Sequence, residues 1–578
     1  MIFTMTPVSA ESGARESFTT EPKISGTSTD KPENRLVEID QPEAVEVGTD
    51  TDADAEAVGD GTTQKKPLGF YLSFLAINIL VFLFSLDATT LAVAIPGIAE
   101  ELHGTTLESF WAGIAYYLGL VVSLPLFASI SDVFGRKPPL YVAFLLFTAG
   151  SLSFSLAQNM AAVIAGRVVQ GLGGGGLDVL GEIIVSDMTT LKERPLYLGI
   201  MALPIAIGSI LGPTVGALFS DYVTWRWIGW INLPLLGVAF PLLAFFLRLR
   251  SLGSSFDAKL ERLDWNGMLL LTIGCTVFVL PLSWADALYP WDSYQTLVPL
   301  LLGVAVIALF VFYETKPEAP VIPLRIFRSR TAAVTLCGAF IHGMTLYTLL
   351  QYIPLSYQAV MLDTRIGAAV SLLPTSVTSV LGAIASVIGI GKAGMGYQRR
   401  IWLSWGLVTL GTGLLLLLDP YSSAGMRYGI PIIWGAGVGA LLRLLHLPMQ
   451  ASVSSVDDTG HAIALLLTFR CLGGLVGLAI GSTIFSSTFG SAIATVGELP
   501  DSLSLLRDPH NAVAFIPIMR TVNLPLEVIA PVLQAYLSAM RGVFYAMLGF
   551  SGLGLVTSLL TEELSLQKTE RGRQHFET

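Results

Sequence analysis

The chain reads as an all-α integral membrane protein, and three observations lead there. Fourteen long apolar stretches run between about Leu68 and Leu560. Apolar residues make up 53% of the 578 and charged residues only 13%, with a mean hydropathy of +0.66. Many of the stretches approach the roughly 20 residues that span the hydrocarbon core of a bilayer as a helix. Lipid offers no partner for backbone N–H and C=O groups, so each stretch must close its own hydrogen bonds, which a helix does. Such a chain moves something across a membrane, senses something at it, or does chemistry within it, and transport leads.

The net charge of −10 says little about partners. Residues 1–64 hold 14 acids and 4 bases, which is −10 by itself; the other 29 acids and 29 bases cancel. This acidic tail, taken as 1–66, has too few apolar residues to offset its ordering entropy and is expected to be disordered and cytoplasmic. It lacks an apolar h-region, so no cleaved signal peptide is expected, and the first span itself would target the chain. Cys275, Cys337 and Cys471 all fall inside apolar runs and read as packing residues. The His residues show no metal-ligand spacing, and no cofactor is expected. No phosphate-binding G-x4-GK-[ST] loop is present, which argues against a nucleotide as energy source; no nucleic-acid partner is expected either.

The candidate spans are 68–95, 108–130, 138–158, 161–186, 196–219, 227–247, 265–284, 295–313, 331–351, 366–390, 401–418, 428–449, 461–487 and 542–560. Basic residues set their direction, since cytoplasmic loops carry the Lys and Arg excess. Lys65 and Lys66 precede span one; Arg136 and Lys137 follow span two; Lys192 and Arg194 follow span four. The pattern continues after spans six, eight, ten and fourteen, while the first two opposite loops have no base. Both termini are then cytoplasmic, which an even number of spans satisfies. The segment 488–541 lies outside and is read as a partly helical cap, because it is too apolar for a free loop.

Local patterns then recur in a fixed order. The loop after span two runs Ser131-Asp-Val-Phe-Gly-Arg-Lys137, where Gly135 permits a tight turn and Asp132 can favour a helix N-terminus or pair with a base. Span four runs Gly166-Arg-Val-Val-Gln-Gly-Leu-Gly-Gly-Gly-Gly-Leu-Asp178. Helical spacing lays Arg167, Gly171, Gly174, Asp178 and Glu182 along one face. Charges inside lipid are costly and face a cavity or a partner. Asp178 and Glu182 bind a cation, carry a proton, or pair with Arg443 or Arg470. Span five places Gly199, Gly208, Gly212-Pro213 and Gly216 so that three glycines form one stripe for close helix contact, while Pro213 bends the helix. Span six opens with Trp225-Arg-Trp-Ile-Gly-Trp-Ile-Asn-Leu-Pro234, in which Arg226 has Asp221 as a candidate partner. Span one contains Leu86-Asp-Ala-Thr-Thr-Leu-Ala-Val-Ala-Ile-Pro96, with Asp87 deep in the bilayer. Arg443 and His446 interrupt span twelve and share a face with Gln450. Arg443 is expected to snorkel toward the cytoplasmic surface, with shaping a cavity as the alternative.

In this order the segments resemble the major facilitator superfamily, and most closely its fourteen-span drug:proton antiporters. The loop after span two is similar to G-x-L-A-D-R-x-G-R-K-x-x-L, with Ala128 and Val133 departing from it. Span four looks like R-x-x-Q-G-x-G, and span five like G-x8-G-x3-GP-x2-GG with Ala217 at its end. The resemblance covers roughly 68–565 and implies two six-helix bundles, 67–250 and 331–565, with two linking helices in 251–330 and a cytoplasmic tail 566–578. It implies a substrate site between the bundles near mid-membrane. It also implies proton-coupled export of a small amphipathic compound such as a drug, toxin or secondary metabolite. The chain would be no enzyme; its partners would be substrate, protons and the bilayer, in the cell membrane or alternatively the vacuolar membrane. Asp87, Asp178, Glu182 and Arg167 are the proton-coupling candidates. Asp132, Gly135, Arg136, Lys137, Gly208, Gly212, Pro213, Gly216 and Arg226 are the conformational ones. Gln170, Gln351, Tyr352, Arg443, His446 and Gln450 are candidate cavity residues. Transport of a nutrient-like solute (a basic amino acid into a vacuole, or an iron chelate) and a transport-inactive sensor stay as alternatives.

Overall fold

The computed structural model describes residues 66–102, 106–190, 193–249, 263–285, 289–317, 320–387, 396–453 and 458–497, parts of 499–519, and 525–565. Both expected tails therefore lie outside the described residues, apart from Lys66. The fourteen membrane helices are α1 (Leu68–Glu101), α2 (Thr106–Phe134), α3 (Lys137–Ser155), α4 (Met160–Met188), α5 (Arg194–Tyr222), α6 (Trp227–Trp230 and Asn232–Phe246), α7 (Trp265–Trp284), α8 (Tyr294–Tyr313), α9 (Arg330–Val360), α10 (Arg365–Ser371 and Leu373–Val387), α11 (Tyr397–Leu415), α12 (Ala424–Leu444 and His446–Ala451), α13 (Thr459–Ala494) and α14 (Leu526–Ser558). Thirteen are long and apolar enough to cross a bilayer by composition alone. The other is α11, whose first turn, Tyr397-Gln-Arg-Arg400, is polar. That turn is held by the far end of the chain. Glu563 accepts hydrogen bonds from the backbone N–H of Tyr397 (3.0 Å) and Gln398 (2.8 Å), which satisfies donors at a helix start.

The outer end of the second half differs from the apolar-run reading. α13 continues to Ala494, and α14 begins at Leu526 rather than near 542. Pro525 sits at the N-cap position of α14, and Pro531 lies inside the helix. The prolines and polar residues between Pro525 and Arg541 separated this stretch from the last apolar run, so it read as part of a partly helical cap. The short helix Ala512–Met519 buries Phe515, Ile516 and Met519 in the same core cluster as Phe489 and Tyr536. The Tyr536 hydroxyl donates to the Ala512 carbonyl at 2.6 Å.

The two halves share one packing scheme. In the first, α1 packs on α5, α2 on α4, α4 on α3, and α1 on α6. In the second, α9 packs on α13, α10 on α12, α12 on α11, and α9 on α14. Each pairing shifts by eight elements, so the second bundle repeats the first. α7 and α8 pair with each other, and α7 lies against α2. The halves meet where α2 touches α13 and α5 touches α10.

Glycine sets how closely the helices approach. A β-carbon on Gly119 of α2 would stand 2.6 Å from the Val168 carbonyl of α4, and one on Gly171 would overlap the Tyr116 carbonyl. On the other side of α4, Gly173 and Gly166 meet the backbone of α3 at Phe147 and Phe154. α5 does the same through Gly208, Gly212 and Gly216, which lie on Phe82, Thr89 and Thr90 of α1. The second half repeats the device: Gly435 and Gly439 lie on Thr375 and Ser379 of α10, and Gly473 lies on Phe340 of α9. Small residues let membrane helices pack backbone to backbone, where dispersion does most of the work.

Candidate functional site

A cavity of about 110 Å³ lies where the halves meet, with walls from α1, α2, α4 and α5 on one side and α9, α10, α12 and α13 on the other. Most of the wall is apolar, including Phe84, Ala88, Ile205, Leu346, Leu350, Val438 and Leu467. Tyr117 and Tyr347 meet across it with ring centroids 5.3 Å apart. Its charged lining consists of Asp178 and Glu182 from α4, Arg443 from α12 and Arg470 from α13.

These four charges are not equivalent. Glu182 accepts from Arg443 Nη1 at 2.9 Å, and His446 Nδ1 lies 3.1 Å from its other oxygen. Arg443 is 1% exposed, so it does not snorkel; the carboxylate of α4 holds it inside the protein. Asp178 lines the cavity with no hydrogen-bond partner among the described residues. Among the described residues Arg470 donates only to the Leu442 carbonyl (3.2 Å), and its Nε has no partner there.

Asp87 and Arg167 stand elsewhere, in a buried cluster inside the first bundle. Arg167 Nη1 donates to Asp87 Oδ2 at 2.6 Å and to Gln170 Oε1 at 2.8 Å. Gln170 Nε2 and Asn232 Nδ2 both donate to Asp87 Oδ1, at 2.9 and 3.1 Å, and both also reach Ser151 Oγ. The guanidinium lies 4.2 Å from the centre of the Tyr116 ring, a cation–π contact. None of Asp87, Arg167 and Gln170 lines the cavity.

Of the six expected cavity residues, Arg443 is on the wall of this cavity. Gln170 is turned into the Asp87 cluster. Tyr352 packs on Phe485 within the second bundle, with ring centroids 6.1 Å apart. His446 faces Glu182 from the end of α12, past the break at Leu445. Gln351 and Gln450 also lie off the wall.

At the helix ends around the turn from α2 to α3 a second polar layer joins the halves. Gly135 takes φ 89°, the left-handed region that favours glycine, and turns the chain from α2 into α3. Arg136 pairs with Asp132, and donates to Asp187 (2.9 Å) and Ser131 (2.8 Å). Burial alone would lower the Arg136 pKa; the Asp187 and Asp132 carboxylates outweigh it and raise it. Asp132 Oδ2 also lies 2.9 Å from His461 Nδ1 on α13, in the other half. Lys137 is the first residue of α3. Beside this layer Glu314, at the end of α8, is 3% exposed and accepts from Ile322 N at 2.5 Å. Burial pushes its carboxyl up to about 7, and neighbouring Asp264 adds to the rise.

At the outer ends Arg226 pairs with Glu101 at 2.5 Å and donates to the Ala157 carbonyl at 3.0 Å. The hydrogen bond from Arg226 lowers the Glu101 pKa. The side chain of Asp221, the expected partner, lies outside the described residues. His461, Asn232 and Tyr347 contribute to these sites without having been singled out as site residues. Asn232 was visible inside the Trp225–Pro234 segment. His461 and Tyr347 had no local pattern to mark them.

Known proteins resemble this chain over most of its length. The family model of the Major Facilitator Superfamily matches residues 77–478. The MFS-type transporter sphD of Aspergillus fumigatus is 54% identical over 534 residues, covering 92% of each chain. Efflux pump FUS6 of Gibberella fujikuroi is 33% identical, covering 87% of this chain and 91% of that one. The acurin A biosynthesis cluster MFS-type transporter of Aspergillus aculeatus is 33% identical, covering 88% and 93%. Among solved structures, a bacterial homologue of the human lysosomal transporter Spinster superposes with a TM-score of 0.53 at 17% identity, over 87% of this chain and 99% of that one. The human organic anion transporter MFSD10 gives 0.51 at 14% identity, over 84% and 100%; at such identities the likeness concerns the fold alone. With thirteen helices among the described residues long and apolar enough to cross a membrane, its repeated bundles and this match, the chain is a multi-pass membrane protein of the major facilitator superfamily.

Proposed function

We propose that this protein exports a small amphipathic organic compound in exchange for protons, and that Asp178 is the group that takes up and releases the proton. Relatives named as efflux pumps, and the relative named for the acurin A biosynthesis cluster, support export of an organic compound. The apolar wall suits the body of such a compound. The observation that carries the proton assignment is the position of Asp178: it faces the cavity and is unpaired, whereas Asp87 and Glu182 each already hold a buried arginine. Asp87 and Arg167 then act as a frame that fixes α4 against α1, and α4 carries Asp178.

Coupling follows from competition. A ligand shifts a conformational equilibrium only by its differential affinity for the two states. A proton on Asp178 removes the charge that a substrate donor would meet, so the two occupy the site in turn. The test is flux of a fluorescent amphiphile in reconstituted vesicles, with and without an imposed pH gradient. Wild-type flux is expected to follow the gradient and to fall at least tenfold when it is collapsed. Asp178→Asn is expected to abolish the gradient dependence. Gradient-driven flux that survives in Asp178→Asn would refute the assignment.

A further inference from the structure

We infer that Asp178 and Arg470 are the two ends of a headgroup site for a zwitterionic amphiphile: a compound with an ammonium and a carboxylate close together on an otherwise apolar body. This rests on the export reading of the same cavity and names the class of its cargo.

The inference starts from an imbalance among buried charges. From α4 come Asp178 and Glu182; from α12 come Arg443 and His446; from α13 comes Arg470. Glu182 is taken by Arg443 and His446. That leaves one anion and one cation, on opposite halves of the protein and on the wall of the same cavity. Asp178 is 6% exposed and Arg470 4%. Neither forms an ion pair with the other or with any other side chain among the described residues. The single side-chain hydrogen bond of Arg470 goes to a backbone carbonyl, and its Nε has no partner. Buried charges are normally paired and fully hydrogen-bonded. Two that face one cavity and stay unpaired are arranged for something that enters it.

The choice of ligand follows from counting. A cation seated on Asp178 leaves Arg470 unmatched and adds a like charge beside it. An anion seated on Arg470 leaves Asp178 unmatched in the same way. A neutral compound leaves both. A zwitterion matches both ends, and a carboxylate suits the guanidinium because two parallel N–H groups can grip it. Much of the remaining wall is apolar, with Phe84, Ile205, Leu346, Leu350 and Val438, and hydroxyls such as those of Ser209, Thr375 and Ser379 interrupt it. The arrangement also fits exchange, because a proton on Asp178 removes the partner of the ammonium.

Equilibrium binding to the purified full-length protein in lipid nanodiscs tests this, with three probes of equal chain length: 2-aminododecanoic acid, dodecylamine and dodecanoic acid. Wild type is expected to bind the amino acid at least tenfold more tightly than either singly charged probe. Asp178→Asn is expected to lose the preference over dodecanoic acid and keep the preference over dodecylamine. Arg470→Gln is expected to do the reverse. Equal affinity for all three probes in wild type overturns the proposal, and so does loss of both preferences in either variant. If Arg470→Gln does not fold, Arg470→Lys keeps the cation but not the two-pronged grip. It is expected to lose most of the preference over dodecylamine, and an unchanged preference overturns the site. Binding needs no flux, so the two readings fail separately. Gradient-driven transport without zwitterion preference removes this inference alone, and zwitterion preference without gradient-driven transport removes the export reading alone.

Discussion

Asp87 and Asp178 look alike in the sequence, each an acid within an apolar run, and only their surroundings separate them. Asp87 accepts hydrogen bonds from Arg167, Gln170 and Asn232, so its loss strands a buried guanidinium. Breaking a buried pair from one side costs roughly 3–5 kcal/mol. Asp87→Asn is therefore expected to lower the thermal unfolding midpoint in detergent by several degrees or to prevent assembly. Asp178→Asn removes an unmatched charge and is expected to leave the midpoint unchanged or raised. Tryptophan fluorescence on heating reads both, and an Asp87→Asn protein as stable as wild type would show that the cluster holds nothing together. The sequence could place these residues inside the membrane but not choose among them. Arg443 shows why. Snorkelling is a fair expectation for a basic residue near a helix end, but the carboxylate that retains it lies 261 residues away, on another helix.

At the scale of the element, spacing was the more reliable guide. The glycine stripe of α5 was legible because 208, 212 and 216 recur at helical period, and it lies on α1 in the structure. The same glycines divide by neighbour. Gly439 of α12 already touches Ser379 of α10, whereas Gly406 of α11 has nothing within 4 Å of where a β-carbon would sit. Gly439→Ala is expected to push α10 and α12 apart and to reduce the yield of folded protein. Gly406→Ala is expected to stabilise α11 by about 0.5–1 kcal/mol, the usual gain from removing a helical glycine. Size-exclusion profiles and melting midpoints of the two variants check this, and equal behaviour would mean that the close contact is not decisive. Boundaries were less legible. The start of α14 was lost because Pro525, Pro531 and several polar residues break the apolar run and read as a partly helical cap, yet tertiary packing carries the helix through Pro531.

For the whole molecule, the order of the motifs pointed to the two bundles, and apolar runs alone gave only a number of helices. The Glu182–Arg443 pair that joins the bundles was among the pairings the sequence offered, but the His461 contact was not legible, because His461 belongs to no motif. Its contact with Asp132 ties α13 to the turn between α2 and α3, at the end that the basic loops mark as cytoplasmic. His461→Ala is expected to favour the arrangement open to the cytoplasm by about fivefold, if the contact contributes about 1 kcal/mol. Cys471 lines the cavity and reports on it. In a protein whose Cys275 and Cys337 are replaced by serine, a membrane-impermeant maleimide added on the cytoplasmic side should label Cys471 faster in the His461→Ala variant. An unchanged rate would mean that this contact does not govern access.

The glycine seams have a mechanical corollary. Within each half, main chain rests against main chain, and such joints have almost no slack to yield. Between the halves, the contacts named above are made by side chains: two tyrosine rings, an imidazole on a carboxylate, and a guanidinium on another. Joints of that kind can come apart and re-form by changing rotamers. Any large movement is thus steered to the boundary between two stiff blocks, which rock as units while their interiors keep their shape.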